Sequence, residues 1–186
     1  MEISVITGGE KVKNYIVILF ISMLIFSSAI YAGEIHDACK AGDLSKVKAL
    51  LEQDPSLLQS KTEEGKSPLH MATGWGKCDI VEYLISVGAD INARNNNGGT
   101  PIHVAASQNQ PDCARILISH GANVNDIRTL GKMTPLLIAV YKSNYEVAKV
   151  LLELGADINA KTESGETALM IAKKRNDQKM IDLLKK

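Results

Sequence analysis

The chain has 186 residues, enough for one ordinary domain, and its 21 Lys and Arg are balanced by 21 Asp and Glu. That balance leaves no electrostatic footprint for nucleic acid or for an anionic membrane surface. Two Phe and one Trp beside five Tyr leave the core to Leu, Ile, Val and Ala.

The first element in chain order is an export signal. Lys11 and Lys13 precede an apolar stretch from Ile16 to Phe26, and the small residues Ser27, Ser28, Ala29 and Ala32 follow. A basic start, a short apolar stretch and a small-residue tail form the pattern of a secretory signal over 1–32, with cleavage after Ala29 or Ala32. The alternative is an uncleaved anchor through residues 15–32, which can just cross a thin bilayer. No Cys lies near either cleavage point, which argues against a lipid-modified terminus. Beyond it stand Cys39, Cys78 and Cys113, an odd number, so one thiol is free or pairs with another chain. Their spacing fits no zinc or CxxC pattern, and buried free thiols are the expectation.

From Glu34 onward the chain repeats itself. Ser67-Pro68-Leu69-His70, Thr100-Pro101-Ile102-His103, Thr134-Pro135-Leu136-Leu137 and Thr167-Ala168-Leu169-Met170 recur at intervals of 33, 34 and 33. Gly88-Ala89-Asp90, Gly121-Ala122-Asn123 and Gly155-Ala156-Asp157 keep the same register. Each hydroxyl is suited to cap a helix, and each Pro to occupy its first position. The first helix of each unit is short and ends at Gly42, Gly76, Asn109, Ser143 or Asn176. All but Ser143 are residues that tolerate a left-handed cap. A second helix follows, with inner faces such as Ile80, Val81 and Leu84, and Gly88, Gly121 and Gly155 stop it. The polar stretch after each of these glycines reads as an extended loop or hairpin finger. Ala72, Ala105, Ala139 and Ala172 are small where neighbouring helix pairs approach, so stacking builds the core.

This period and the TPLH signature resemble the ankyrin repeat. The resemblance covers residues 34–186, in approximate units 34–61, 62–94, 95–127, 128–161 and 162–186. The fold class expected is an all-α ankyrin-repeat solenoid of helix-turn-helix units with β-hairpin or loop fingers. Unit one lacks the Pro signal and the last carries Lys173, Lys174 and Arg175, so both ends read as caps. The array is expected to be complete, without a second domain. In the family the signature imidazole makes structural hydrogen bonds, which the resemblance implies for His70 and His103. Leu137 and Met170 replace it, so those joints should lack the polar brace. His36 and His120 read as isolated.

No nucleophile elbow, P-loop or paired carboxylates appear, and two His in register do not make a metal site. The sequence therefore predicts no enzyme, no metal, no cofactor, no small-molecule substrate and no nucleic acid. What remains is a surface. Ankyrin proteins usually bind partners on the concave side, and matching unit by unit places Trp75, Gln108, Tyr141 and Lys142 on first-helix edges there. The fingers contribute Arg94, Asn96, Asn97, Ile127, Leu130, Lys132 and Met133. The third finger is one residue longer than the others and apolar where they are polar. Gly74 is expected merely to leave room beside Trp75. Exposed aromatics with apolar neighbours are the material of interface hot spots. The expected role is an exported bacterial protein-binding module, periplasmic or secreted, whose partner is another protein. The alternatives are a membrane-anchored scaffold and an enzyme without a recognisable motif.

Overall fold

The computed structural model describes residues 33–185, so the export-signal segment lies outside the described residues. Helices come in pairs. They are α1 (33–41) with α2 (Leu44–Gln53), α3 (Pro68–Gly74) with α4 (Cys78–Ser86), and α5 (Pro101–Ser107) with α6 (Pro111–Ser119). Further on, α7 (Pro135–Tyr141) pairs with α8 (Tyr145–Glu153), and α9 (Ala168–Lys174) with α10 (Gln178–Leu184). Short 3-10 turns cover Pro55–Gln59 and Leu130–Lys132. An inner layer stacks α3 on α5, α7 and α9, and an outer layer stacks α2 on α4, α6 and α8. Ala72, Ala105, Ala139 and Ala172 are fully buried where the layers meet. A larger side chain at any of them would push adjacent pairs apart.

The helix ends follow the sequence. Ser67, Thr100, Thr134 and Thr167 are N-caps in extended conformation, and Pro68, Pro101 and Pro135 open their helices. Between each paired helix the backbone turns left-handed, at Gly42, Gly76, Asn109, Ser143 and Asn176 (φ 86°, 66°, 54°, 57° and 54°). Ser143 takes this conformation although it is neither Gly nor Asn, and its hydroxyl donates to Asp177 Oδ2 at 2.7 Å, a contact to the next unit that glycine could not make.

Four fingers project between the pairs: finger A (61–67), B (94–100), C (127–134) and D (161–167). Each is a hairpin turn rather than a strand ladder. Among the described residues the one β contact is an isolated bridge from Lys161 to Thr167. In A, B and D the turn is closed by Thr62 N to Lys66 O, Asn95 N to Gly99 O, and Thr162 N to Glu166 O, each at 3.0 Å. The equivalent bond in C runs from Arg128 N to Met133 O, so the extra residue lies inside the turn itself. Gly131 and Lys132 both take positive φ there, 77° and 47°, to accommodate it.

The cysteines correct the sequence reading. Cys78 at the start of α4 and Cys113 in α6 form a disulfide across adjacent units, with Cα atoms 5.2 Å apart. Both lie near the N-termini of stacked outer helices, a juxtaposition that their 35-residue separation conceals. Cys39 alone is free; it is buried, and burial pushes its thiol pKa up to about 12.

Candidate protein-binding surface

The inner helices are held to the fingers by a ladder of imidazoles. His70 Nδ1 accepts the Ser67 amide at 3.2 Å while Nε2 faces the Gly99 carbonyl at 3.0 Å. Because a carbonyl only accepts, the proton is on Nε2 and the ring is neutral. His103 repeats the arrangement with the Thr100 amide and Asp126 O, at 3.2 and 3.1 Å. Burial lowers both pKa values to about 4. His36 is not isolated, as the sequence reading had it: it is buried and its Nε2 meets Lys66 O at 3.1 Å, one unit earlier in the same register. The missing Pro signal in its unit hid that equivalence. Leu137, at the same position in α7, is buried among apolar neighbours and offers the next finger no such bond.

Finger contacts follow the same gradient. Asn96 N donates to Glu64 O at 3.0 Å and Asn96 Nδ2 to Glu63 O at 2.8 Å, joining B to A. Leu130 N donates to Asn97 O at 3.2 Å, joining C to B. Arg94 reinforces that joint, donating to Gly98 O at 2.6 Å and pairing with Asp126 at 2.8 Å. Among the described residues no hydrogen bond joins C to D. The expected surface residues therefore divide. Arg94 and Asn96 hold the fingers to one another, and Asn97 does so through its backbone. Met133 is half-buried against the core.

The remaining candidates are open to solvent. Trp75 and Tyr141 are each 53% exposed, Ile127 56% and Leu130 60%; Gln108, Lys132 and Lys142 are exposed as well. Trp75 caps the C-terminus of α3 with the Lys40 ammonium 4.8 Å from its ring, and Tyr141 ends α7 with the Arg175 guanidinium at 5.4 Å. Gly74 is not spare room beside the Trp. A Cβ there would meet Val104 Cγ1 at 3.0 Å, so the missing side chain is what lets α5 approach α3.

Two recesses open on this side. One, of about 360 Å³, is bordered by Met71, Gly74, Trp75, Val104, Gln108 and Arg128. The other, about 650 Å³, lies where C and D are not joined, bounded by Met133, Tyr141, Thr162, Glu166, Ile171 and Arg175. The sequence reading missed Arg128 and Ile171. The inserted residue shifts finger C against a fixed 33-residue register, and Ile171 looks like an ordinary core position of α9. Among the described residues no three His, Cys, Asp or Glu side chains converge on a metal-sized site, and no helix is long and apolar enough to cross a membrane.

Stacked helix pairs, a ladder of structural imidazoles and one open, finger-lined face define a helical-repeat binding scaffold. Its sequence matches the family described as ankyrin repeats (3 copies) over residues 35–128 and 88–162. The chain belongs to the ankyrin repeat family and is a protein–protein interaction module. It is 42% identical over 62 residues to human protein phosphatase 1 regulatory subunit 27, a match covering 33% of this chain and 40% of that protein. It is 34% identical over 58 residues to the probable 26S proteasome regulatory subunit p28 of Saccharomyces cerevisiae, covering 31% and 25%. With the Arabidopsis thaliana serine/threonine-protein kinase VIK the identity is 40% over 53 residues, covering 28% and 12%. The chain thus spans less than half the length of each of these relatives.

Proposed function

We propose that this protein is an exported bacterial module that binds another protein through its concave face, with no catalytic step of its own. The observation that carries the reading is the pairing of half-exposed aromatics, Trp75 and Tyr141, at equivalent helix ends two units apart beside two open recesses. Large rings in solvent serve a fold poorly, whereas they are the residues on which interface energy concentrates. Two of the relatives are named as regulatory subunits, of a phosphatase and of a proteasome, which supports action through a bound protein.

Export draws support from two features. The signal pattern over 1–32 is one, and the Cys78–Cys113 disulfide is the other, because such bonds persist in oxidising compartments and are rare in a reducing cytosol. A periplasmic or secreted location follows, with membrane attachment through residues 15–32 as the alternative. The intact mass of the protein from fractionated cells distinguishes them, since a chain retaining 1–32 in the membrane fraction would rule out cleavage.

Affinity capture from the envelope fraction tests the binding surface. Trp75→Ala should weaken capture of a specific partner by about 2 kcal/mol with little change in the urea midpoint. A large fall in midpoint with unchanged affinity would make the Trp structural and defeat the assignment.

A further inference from the structure

The recess between fingers C and D has a chemistry of its own. The inner helices α3, α5, α7 and α9 carry no carboxylate, and their cations are concentrated at the C-terminal end. Lys142 caps α7, Lys173 and Lys174 close α9, and Arg175 caps it, all exposed. Lys132 adds a further exposed charge at the tip of finger C. Against these stand Glu163 and Glu166 on finger D, and Glu166 is already paired with Lys174 at 3.2 Å. Among the described residues Lys142, Lys132, Lys173 and Arg175 have no carboxylate within ion-pair distance. Arg175, with the paired Lys174 and Glu166 and with Glu163, lines an apolar hollow formed by Met133, Tyr141 and Ile171. Lys142 follows the lining residue Tyr141 in the chain, and Lys132 and the exposed Leu130 flank the lining residue Gly131.

The hollow exists for reasons visible in the chain. An inserted residue widens the turn of finger C, and Leu137 replaces the imidazole that would otherwise hold finger D. Where fingers A, B and C are braced and joined to one another, they border only the smaller recess of about 360 Å³. The first recess, beside Trp75, is lined by Lys66 and Arg128 as well as by uncharged Ser107 and Gln108.

We infer that the recess between fingers C and D receives an acidic peptide segment with one bulky apolar anchor residue, the anchor entering the Met133–Tyr141–Ile171 hollow and the flanking carboxylates meeting Lys142 and Arg175. This rests on the protein-binding reading and specifies its partner. An apolar side chain leaving water for the hollow supplies the affinity, and opposite charges on the rim speed association and set specificity.

The test is selection of a random 12-residue peptide library, displayed on phage, against the protein expressed from its full-length reading frame. Enriched peptides are then synthesised with a fluorescent label and titrated by anisotropy. The inference expects enrichment of Asp and Glu around a single Leu, Ile, Phe or Trp. It also expects at least tenfold weaker binding to the Lys142→Glu/Arg175→Glu protein, and weakening as salt is raised from 50 to 300 mM. Circular dichroism and the urea midpoint of that variant should match wild type, since both side chains are exposed. Enriched peptides that are basic or uncharged, or that lose affinity with Trp75→Ala but not with the charge-reversed variant, overturn the inference while leaving the protein-binding reading intact. Failure to enrich any peptide from the folded protein counts against both.

Discussion

The imidazole ladder makes the fold sensitive to mild acid. His70 and His103 have pKa values of about 4 in the folded chain, against an ordinary 6.5, because protonation would strand a charge in the core. The unfolded chain therefore binds protons that the folded one refuses, and stability falls as pH drops from 6.5 toward 4. Linkage over these pKa values gives a loss of about 2 kcal/mol per histidine between pH 7 and pH 5, or about 4 kcal/mol for the pair. The slope near pH 5 is roughly 2 kcal/mol per pH unit. Glu64 and Glu166 are held below the usual carboxylate range by hydrogen bonds, first from Thr62 and Lys174 respectively. Asp177 is also held low: burial works the other way, but the Tyr145 and Ser143 hydroxyls outweigh it. These three lose their contribution only below their ordinary values, at more acidic pH. Urea unfolding at pH 7, 6 and 5, followed by fluorescence and circular dichroism together, measures the slope and checks that the array unfolds as one unit. The control is His70→Leu/His103→Leu, which copies the residue native at Leu137. The control should be less stable at pH 7, having left the Ser67 amide and the Gly99 carbonyl without partners, yet nearly flat between pH 7 and 5. An unchanged slope in the control would refute the assignment of acid sensitivity to these two rings.

Four other outcomes follow from local geometry. Gly98→Ala should cost well over 2 kcal/mol, since φ is 70° and the new Cβ would meet the Thr129 backbone nitrogen at 2.8 Å. Gly121→Ala, with φ 95° and nothing within 4 Å, should cost about 1 kcal/mol by the same denaturation assay. Ser143→Ala keeps the left-handed backbone but loses the bond to Asp177, so its midpoint should fall by about 1–2 kcal/mol while Ser143→Gly stays near wild type. Reduction of Cys78–Cys113, or Cys78→Ser/Cys113→Ser, should lower stability by about 4 kcal/mol at most, from the loop the bond closes. Peptide mapping without reductant should recover those two cysteines linked, with Cys39 alkylated only after unfolding.

Periodicity made the helices and caps legible, because each rests on a residue whose local chemistry suffices: a hydroxyl before Pro, a Gly or Asn between helices. Ser143 looked anomalous for lack of one long-range fact, the position of Asp177. The disulfide was hidden for the same reason, since it depends on which residues stacking brings together, and the third imidazole, His36, by the missing Pro signal of its unit. The surface was legible as exposure but not as use. Trp75, Tyr141, Ile127 and Leu130 are open, whereas Arg94, in the same finger register as Ile127, and Asn96 spend their side chains on neighbouring units. No single repeat reveals that difference, because the partner groups belong to the next one.

The bracing also has a direction. The first three units are tied by imidazoles, by finger-to-finger hydrogen bonds and by the disulfide, while finger D lacks the first two. Local stability in a repeat array is set by nearest-neighbour contacts, so finger D and α9 should open more readily than α3 to α6. A peptide seated between C and D would bridge the fingers that the chain leaves unjoined. At a concentration one hundred times its Kd it would stabilise the folded state by about 2.7 kcal/mol. Hydrogen exchange should register this first as slower exchange of the amides of Thr162, Gly165 and Glu166, with those of Asn96 and Gly98 unchanged. Uniform slowing across all four fingers would mean that the ligand acts on global unfolding and that the gradient in bracing has no bearing on binding.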